Sequence, residues 1–200
     1  MPAAQGPDPL VKLNQIYTRT GDTGETGLVD GSRISKAHPR AAAIGDVDEA
    51  NSAIGIALLH VTDERHRSML RAIQNELFDL GADLATPGED FTPSEMVLRI
   101  TANQVARLER EIDEMNAGLE PLRSFILPGG GAGAAHLHLA RTVVRRAERM
   151  AVAAMEEVSL NPQAIAYINR LSDHLFVLAR LVAASEGGDI LWQPGATRGT

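Results

Sequence analysis

The chain has 200 residues, 44% apolar and 22% charged, which suits one globular domain with a sizeable core and excludes a disordered or fibrous chain. Its 19 basic and 26 acidic residues leave a net charge of −7, which excludes nucleic-acid binding through a broad basic surface; an anionic ligand must instead meet a local cluster of arginines. The absence of cysteine rules out disulfides, thiolate metal sites and thiol nucleophiles, and no apolar run reaches the roughly 18–20 residues of a membrane span.

Residues 1–12, rich in Pro, Gly and Ala, are expected to be disordered, and M-P-A-A-Q-G-P-D-P-L has neither the apolar core of a secretory signal nor a transit-peptide bias, which points to the cytoplasm. A single domain then runs over 13–186. It opens with a Gly/Thr arm, Y-T-R-T-G-D-T-G-E-T-G, too turn-rich for a long helix, and a short basic stretch from Arg33 to Arg40. Val47, Ala50, Ile54, Ala57 and Val61 recur at three-four spacing and predict a first helix; Met69, Ile73, Leu77, Leu80 and Leu84 predict a second. Thr101 and Gln104 have capping-box spacing and open a third, with Val105, Leu108, Ile112 and Met115 inward. The loop P-L-R-S-F-I-L-P-G-G-G-A-G leads to a fourth helix, over about 134–158. Asn161-Pro162 starts a fifth, whose buried face carries Ile168, Leu171, Leu175, Leu178 and Val182, and Gly187-Gly188 ends it. Residues 187–200 read as a tail. The whole predicts an all-α five-helix bundle preceded by a glycine-rich arm, with no strand-rich block.

The fourth helix carries the anomaly, R-T-V-V-R-R-A-E-R from Arg141 to Arg149. At about 100° per residue, with Leu137, Val144, Ala151 and Met155 as the centre of the apolar stripe, Arg141 and Glu148 fall within about 40° of Leu137 and Arg145 at about 80°, while Arg146 and Arg149 point to the far side. A solvated charge run does not set an arginine and a glutamate beside the core face. Either they form a salt bridge within or between bundles, or they form a guanidinium shelf, whose planar donors fork onto phosphate oxygens, with Glu148 orienting it or holding a phosphate-bridging metal ion.

The arm segment Thr18–Gly27 is the second candidate: its glycines let backbone approach an anion, and its hydroxyls and N–H groups donate to phosphate, although it matches neither of the common glycine-rich phosphate motifs. Lys36 is a further phosphate contact or a solvated lysine. Asn169 sits near the inward stripe of helix five, where a polar residue commonly bonds across helices. Phe125 precedes a glycine run, and a loop phenylalanine is ordinarily a core plug. His136 and His138, two apart on a helix, face about 200° from each other and cannot chelate jointly. The paired Glu-x-x-His motifs of di-metal bundles are absent from the sequence.

Five segments in this order resemble the PduO-type corrinoid adenosyltransferases over about Ile16 to Ala184: Y-T-R-T-G-D-T-G-E-T-G, D-V-D-E-A-N-S-A-I-G, R-S-F-I-L-P-G-G, R-T-V-V-R-R-A-E-R and Y-I-N-R-L-S-D-H-L-F. The resemblance implies a ferritin-like, cobalamin adenosyltransferase-like five-helix bundle. It also implies a homotrimer with sites at subunit interfaces, and transfer of the 5′-deoxyadenosyl group of ATP to the Co(I) of a cobalamin or related corrinoid, with tripolyphosphate leaving. By the same resemblance ATP is bound by Thr18, Arg19, Thr20, Gly21, Thr26, Gly27 and Lys36 of the arm, by Arg145, Arg146, Glu148 and Arg149 of helix four, and by Asn169. Arg141 supports the site across the interface. Phe125 takes the lower axial side of cobalt and displaces the dimethylbenzimidazole ligand, and Mg²⁺ bridges the ATP phosphates, with Glu148 as its protein ligand. A reductase and an adenosylcobalamin-dependent enzyme are the implied protein partners, with neither nucleic acid nor membrane. One departure stands out: where family members commonly have an acidic residue after the lysine matched by Lys36, Ala37 and His38 stand here, so Asp46 or Asp48 would have to pair with Arg141. Two other classes fit the same residues: a nucleotide- or corrinoid-binding module without chemistry, and a structural helical trimer whose arginines only pair across subunits.

Overall fold

The computed structural model describes residues 16–199; the stretch expected to be disordered, 1–12, lies outside the described residues. Five helices follow one another: α1 Pro39–Leu58, α2 Glu64–Leu84, α3 Ala102–Asn116, α4 Ala132–Met155 and α5 Pro162–Ala184. The all-α bundle read from periodicity is the bundle observed. Start signals act where the sequence places them. The Thr101 N–H donates to Gln104 Oε1 at 2.9 Å, and Asn161 accepts from Gln163 N at 3.0 Å with Pro162 in the first turn. The first helix begins earlier than its apolar repeat suggests: Pro39 sits in its first turn, and the His38 ring accepts from Arg40 N at 3.0 Å.

α1 packs most extensively on α4, and α5 lies between α4 and α3, with α2 against α1 and α5. The two helices that pack most extensively bury small residues, Ala43, Ala50, Ala53 and Ala57 on α1 and Ala140, Ala147, Ala151 and Ala154 on α4. These alanines draw the centre of the buried stripe on α4 about 40° away from Leu137, toward α1. This corrects two expectations. Met155 is exposed rather than central, and Arg146 faces α1 rather than the far side, pairing there with Asp46 and Glu49. Alanine has little weight in a hydrophobic pattern, yet it lets two helices approach closely, so it marks the seam better than the larger residues do.

The arm contains a hairpin that periodicity does not signal: β1 Glu25–Gly27 pairs antiparallel with β2 Arg33–Ser35, Thr26 opposite Ile34. Strands of three residues are too short to show alternation. Within the stretch read as a tail, Leu191 forms an isolated antiparallel bridge with Ile126.

Two polar networks cross the core. Asp83, 2% exposed, accepts from Arg99 Nη1 at 2.7 Å, from Ile100 N at 2.8 Å and from Asn161 Nδ2 at 2.7 Å. Between α2, α3 and α5, Glu76 takes Arg107 and the Tyr167 hydroxyl (2.7 Å), while Glu111 takes Arg107 and the fully buried His174 (2.8 Å). Burial pushes the Glu111 carboxyl up, but the hydrogen bonds from His174 and Arg107 outweigh it and hold it below its ordinary 4.5.

Two stability measurements follow. Asp83→Ala leaves Arg99 buried without its counter-charge and is expected to lower the unfolding free energy by about 3–5 kcal/mol in urea titrations. Because Glu111 titrates lower when folded than unfolded, its contribution is present above pH 4.5 and lost as the pH falls from there. The stability gap between wild type and Glu111→Gln should therefore narrow in acid, and a constant gap would refute this.

Candidate functional site

The arm brings together most of the residues assigned to it. Three glycyl or turn positions shape its loop: Gly24 (φ 87°), Gly31 (φ 84°) and, unusually for a non-glycine, Arg19 (φ 61°). The loop closes on its own hairpin. Arg33 Nη2 donates to Thr20 O at 2.7 Å, Lys36 Nζ to Gly21 O at 2.9 Å, and the Thr18 and Thr20 hydroxyls lie 2.8 Å apart. One hydrogen bond, Val29 N to Ala85 O at 3.0 Å, fastens the hairpin to the end of α2. Beneath it lies a cleft of about 330 Å³ lined by Thr26, Gly27 and Lys36 from the arm, Ala41, Ile44 and Gly45 from α1, and Ala85. Lys36 thus stands at the mouth of a cleft walled by small residues, with backbone amides and hydroxyls close by.

The second group is on α4 and α5. Glu148 Oε1 accepts from Asn169 Nδ2 at 2.8 Å, and Asn169 Oδ1 accepts from Arg170 Nη1 at 3.2 Å. Asn169 is exposed, not inward as its place in the repeat suggests, and joins the two helices at the rim. Arg145 and Arg149 are exposed, and Arg149 Nη1 donates to Arg145 O at 3.0 Å. Arg141 is half-buried with its guanidinium 5.9 Å from the centre of the Phe176 ring, and its Nε has no partner. Burial and then the neighbouring Arg145 lower its pKa from the ordinary value. Among the described residues, Arg141, Arg145 and Arg149 form no salt bridge, whereas Arg146 is committed to Asp46 and Glu49. The structure therefore groups Arg141, Arg145, Glu148, Arg149 and Asn169 and turns Arg146 away from them. Three guanidinium groups without a salt bridge on one stretch of helix, beside a carboxylate that an amide orients, have donor chemistry that suits a polyanion.

Phe125 is not a core plug. Its side chain is 76% exposed on the loop before α4, and its nearest aromatic neighbour is Trp192, with ring centres 5.9 Å apart. His136 and His138 lie apart, as their spacing requires: His138 is buried and His136 stacks on His60.

In a single chain the two groups are not bonded to each other: no hydrogen bond or ion pair among the described residues joins the arm segment 18–36 to the segment 141–149. Sequence reasoning missed Asp83, Arg99, Arg180 and Glu49, which support these groups, and it offered Asp46 as a partner of Arg141, whereas Asp46 pairs with Arg146. Asp83 and Arg180 did carry a signal, a charge set inside an apolar repeat, beside Leu80 and Leu84 and beside Leu178 and Val182.

A family model described as cobalamin adenosyltransferase matches residues 16–182. A corrinoid adenosyltransferase of Mycobacterium tuberculosis is 53% identical over 193 residues, covering 94% of this chain and 97% of the relative. One from Bacillus subtilis is 42% identical over 189 residues, covering 91% and 94%. Among solved structures, a variant PduO-type ATP:corrinoid adenosyltransferase from Lactobacillus reuteri, complexed with cobalamin and ATP, superposes with a TM-score of 0.83 at 38% identity, covering 90% of this chain and 97% of that one. The chain belongs to the cobalamin adenosyltransferase family. Among the described residues, no helix is long and apolar enough to cross a membrane.

Proposed function

We infer that the chain carries out its family's reaction, transfer of the 5′-deoxyadenosyl group of ATP to the cobalt of a corrinoid. The observation that carries this reading is the unpaired arginine group on α4 beside Glu148 and Asn169. The electron pair of Co(I) attacks C5′ of ATP, the Co–C bond forms as the C5′–O bond breaks, and tripolyphosphate leaves with the bonding electrons. Charge therefore grows on the phosphate chain, and fixed guanidinium groups at its seat favour the transition state over the ground state. No side chain has to transfer a proton.

Arg145 and Arg149 take the phosphates, Arg141 supports them from the helix flank, and Asn169 steers Glu148. Arg146, held by α1, serves by orienting the ledge. From a neighbouring chain the arm adds Thr18, Arg19, Thr20, Gly21, Thr26, Gly27 and Lys36, with Lys36 exchanging the Gly21 carbonyl for a phosphate oxygen. The lack of any hydrogen bond or ion pair between arm and ledge among the described residues suits an assembly in which one chain's arm faces another's ledge, and a homotrimer closes such contacts head to tail. Asp46 is occupied within the chain, so Asp48, which lines an adjoining groove of α1 and α2, is the carboxylate left to meet Arg141 across that contact. The donor set suits magnesium: Glu148 Oε1 is taken by Asn169 while Oε2 accepts no hydrogen bond among the described residues, and this ion commonly takes one carboxylate with phosphate oxygens. Glu148 would hold it, and its charge would offset that of the leaving group.

Phe125 offers an apolar ring on an exposed loop, suited to the lower face of the corrinoid, where it would exclude an axial donor and so make Co(II) easier to reduce. A reductase that supplies the electron and an adenosylcobalamin-dependent enzyme that takes the product complete the chemistry, which belongs in the cytoplasm where ATP is made.

The direct test mixes protein, ATP, Mg²⁺ and chemically reduced cobalamin. A light-sensitive Co–C product and free tripolyphosphate are expected, and a module that only binds would yield neither. Arg145→Lys should lower kcat/KM for ATP by about ten- to a hundredfold, since an ammonium cannot fork onto phosphate; unchanged kinetics would refute the ledge. Phe125→Ala should leave the Kd for ATP in place while abolishing most turnover that starts from cob(II)alamin.

A further inference from the structure

The loop that presents Phe125 is held by a segment some sixty residues later in the chain. After α5, Gly187 (φ 108°) and Gly188 (φ 90°) turn the backbone through a conformation that side-chain-bearing residues rarely adopt, and residues 189–192 run back along residues 124–127. Trp192 N donates to Phe125 O at 2.8 Å, Leu127 N to Ile190 O at 2.8 Å, and Ser124 Oγ to Trp192 O at 2.9 Å. The backbone is thus pinned on both sides of Phe125. Arg180, 7% exposed, fastens both partners at once: its Nε donates to Asp189 Oδ2 at 2.9 Å and its Nη2 to Glu120 O at 2.8 Å.

We propose that residues 189–192 form a strap belonging to the corrinoid seat, with Trp192 the positioning residue for Phe125; this rests on the role given to Phe125 above. The Trp192 ring lies 5.9 Å from that of Phe125 and is inclined at 54° to it, a tilted arrangement that aromatic pairs favour. A ring as exposed as Phe125, on a loop without a brace, samples many orientations, and only some exclude an axial ligand from cobalt. Trp192 narrows that set before the corrinoid arrives, which is where pre-organisation acts. The ring of Trp192 is itself 44% exposed, so removing it opens no void in the core.

The test binds cob(II)alamin to the ATP-loaded protein and measures the four-coordinate Co(II) fraction by electron paramagnetic resonance and magnetic circular dichroism. Trp192→Ala is expected to lower that fraction about three- to tenfold, the worth of one aromatic pair, with KM for ATP unchanged and Trp192→Phe largely restoring it. If Trp192→Ala keeps the wild-type fraction while Phe125→Ala loses it, the strap has no positioning role and the assignment of Phe125 stands. If Phe125→Ala keeps the fraction, the assignment of Phe125 fails and the strap proposal with it. Equal losses in Trp192→Ala and Trp192→Phe, accompanied by a raised KM for ATP, would mark general damage and also overturn the proposal.

Discussion

The carboxylate of Asp83, shut off from water in the core, is the interaction on which the arrangement of the site depends. Burying a charge costs several kcal/mol, and it is tolerated only where a counter-ion and further hydrogen bonds replace the lost water. Here Arg99, the Ile100 amide and Asn161 do so together, and Arg99 also binds the carbonyls of Asp83, Thr86 and Asp90. The end of α2, the connection to α3 and the start of α5 are thereby joined in one block. Ala85, whose carbonyl carries the arm, lies inside that block. A glycine-rich segment thus hangs from a corner of the molecule cross-linked by a buried ion pair and its hydrogen bonds.

The charge distribution has a matching logic. The chain is acidic overall, and most of its arginines outside the site are matched: Arg65 with Glu114, Arg99 with Asp83, Arg107 with Glu76 and Glu111, Arg170 with Glu109, Arg180 with Asp189. Arg146 is matched too, by α1. Arg19, Arg40, Arg110, Arg123 and Arg198 also lack a carboxylate partner among the described residues, but only Arg141, Arg145 and Arg149 follow one another along a single helix. They make a local excess of positive charge on a chain that is negative overall, of the kind that steers an anion.

The helices were legible because α2, α3 and α5 carry large apolar residues at helical spacing, and because Thr101-Gln104 and Asn161-Pro162 announce their starts. α4 was legible as a helix but misread in rotation, since its seam is written in alanine and sequence patterns weigh Leu and Met more heavily. That error set Arg146 beside Arg149 and hid its attachment to Asp46 and Glu49. The resemblance named residues that the structure sets in three places, the arm, the α4–α5 rim and the Phe125 loop, with Arg146 held apart by α1. What sequence could not supply was long-range pairing: nothing local in D-I-L-W reveals that it lies beside S-F-I-L, and nothing near Arg99 reveals that Asp83 lies opposite. Such contacts depend on the bundle being assembled, and only a charge inside an apolar repeat betrays that a partner must exist.

α4 is also a spacer of defined length. The loop bearing Phe125 feeds directly into its first turn at Ala132, and the ledge begins at Arg141 on the same unbroken helix of 24 residues. A helix advances about 1.5 Å and turns about 100° with each residue, so the seats proposed for cobalt and for phosphate would be separated by a count of residues rather than by a flexible hinge. Adding or deleting one residue between Gly131 and Arg141 would barely change the reach but would swing the guanidinium groups more than a quarter of the way around the axis. The interval is therefore a reading frame for the chemistry, tolerant of changes in side chain and intolerant of changes in number.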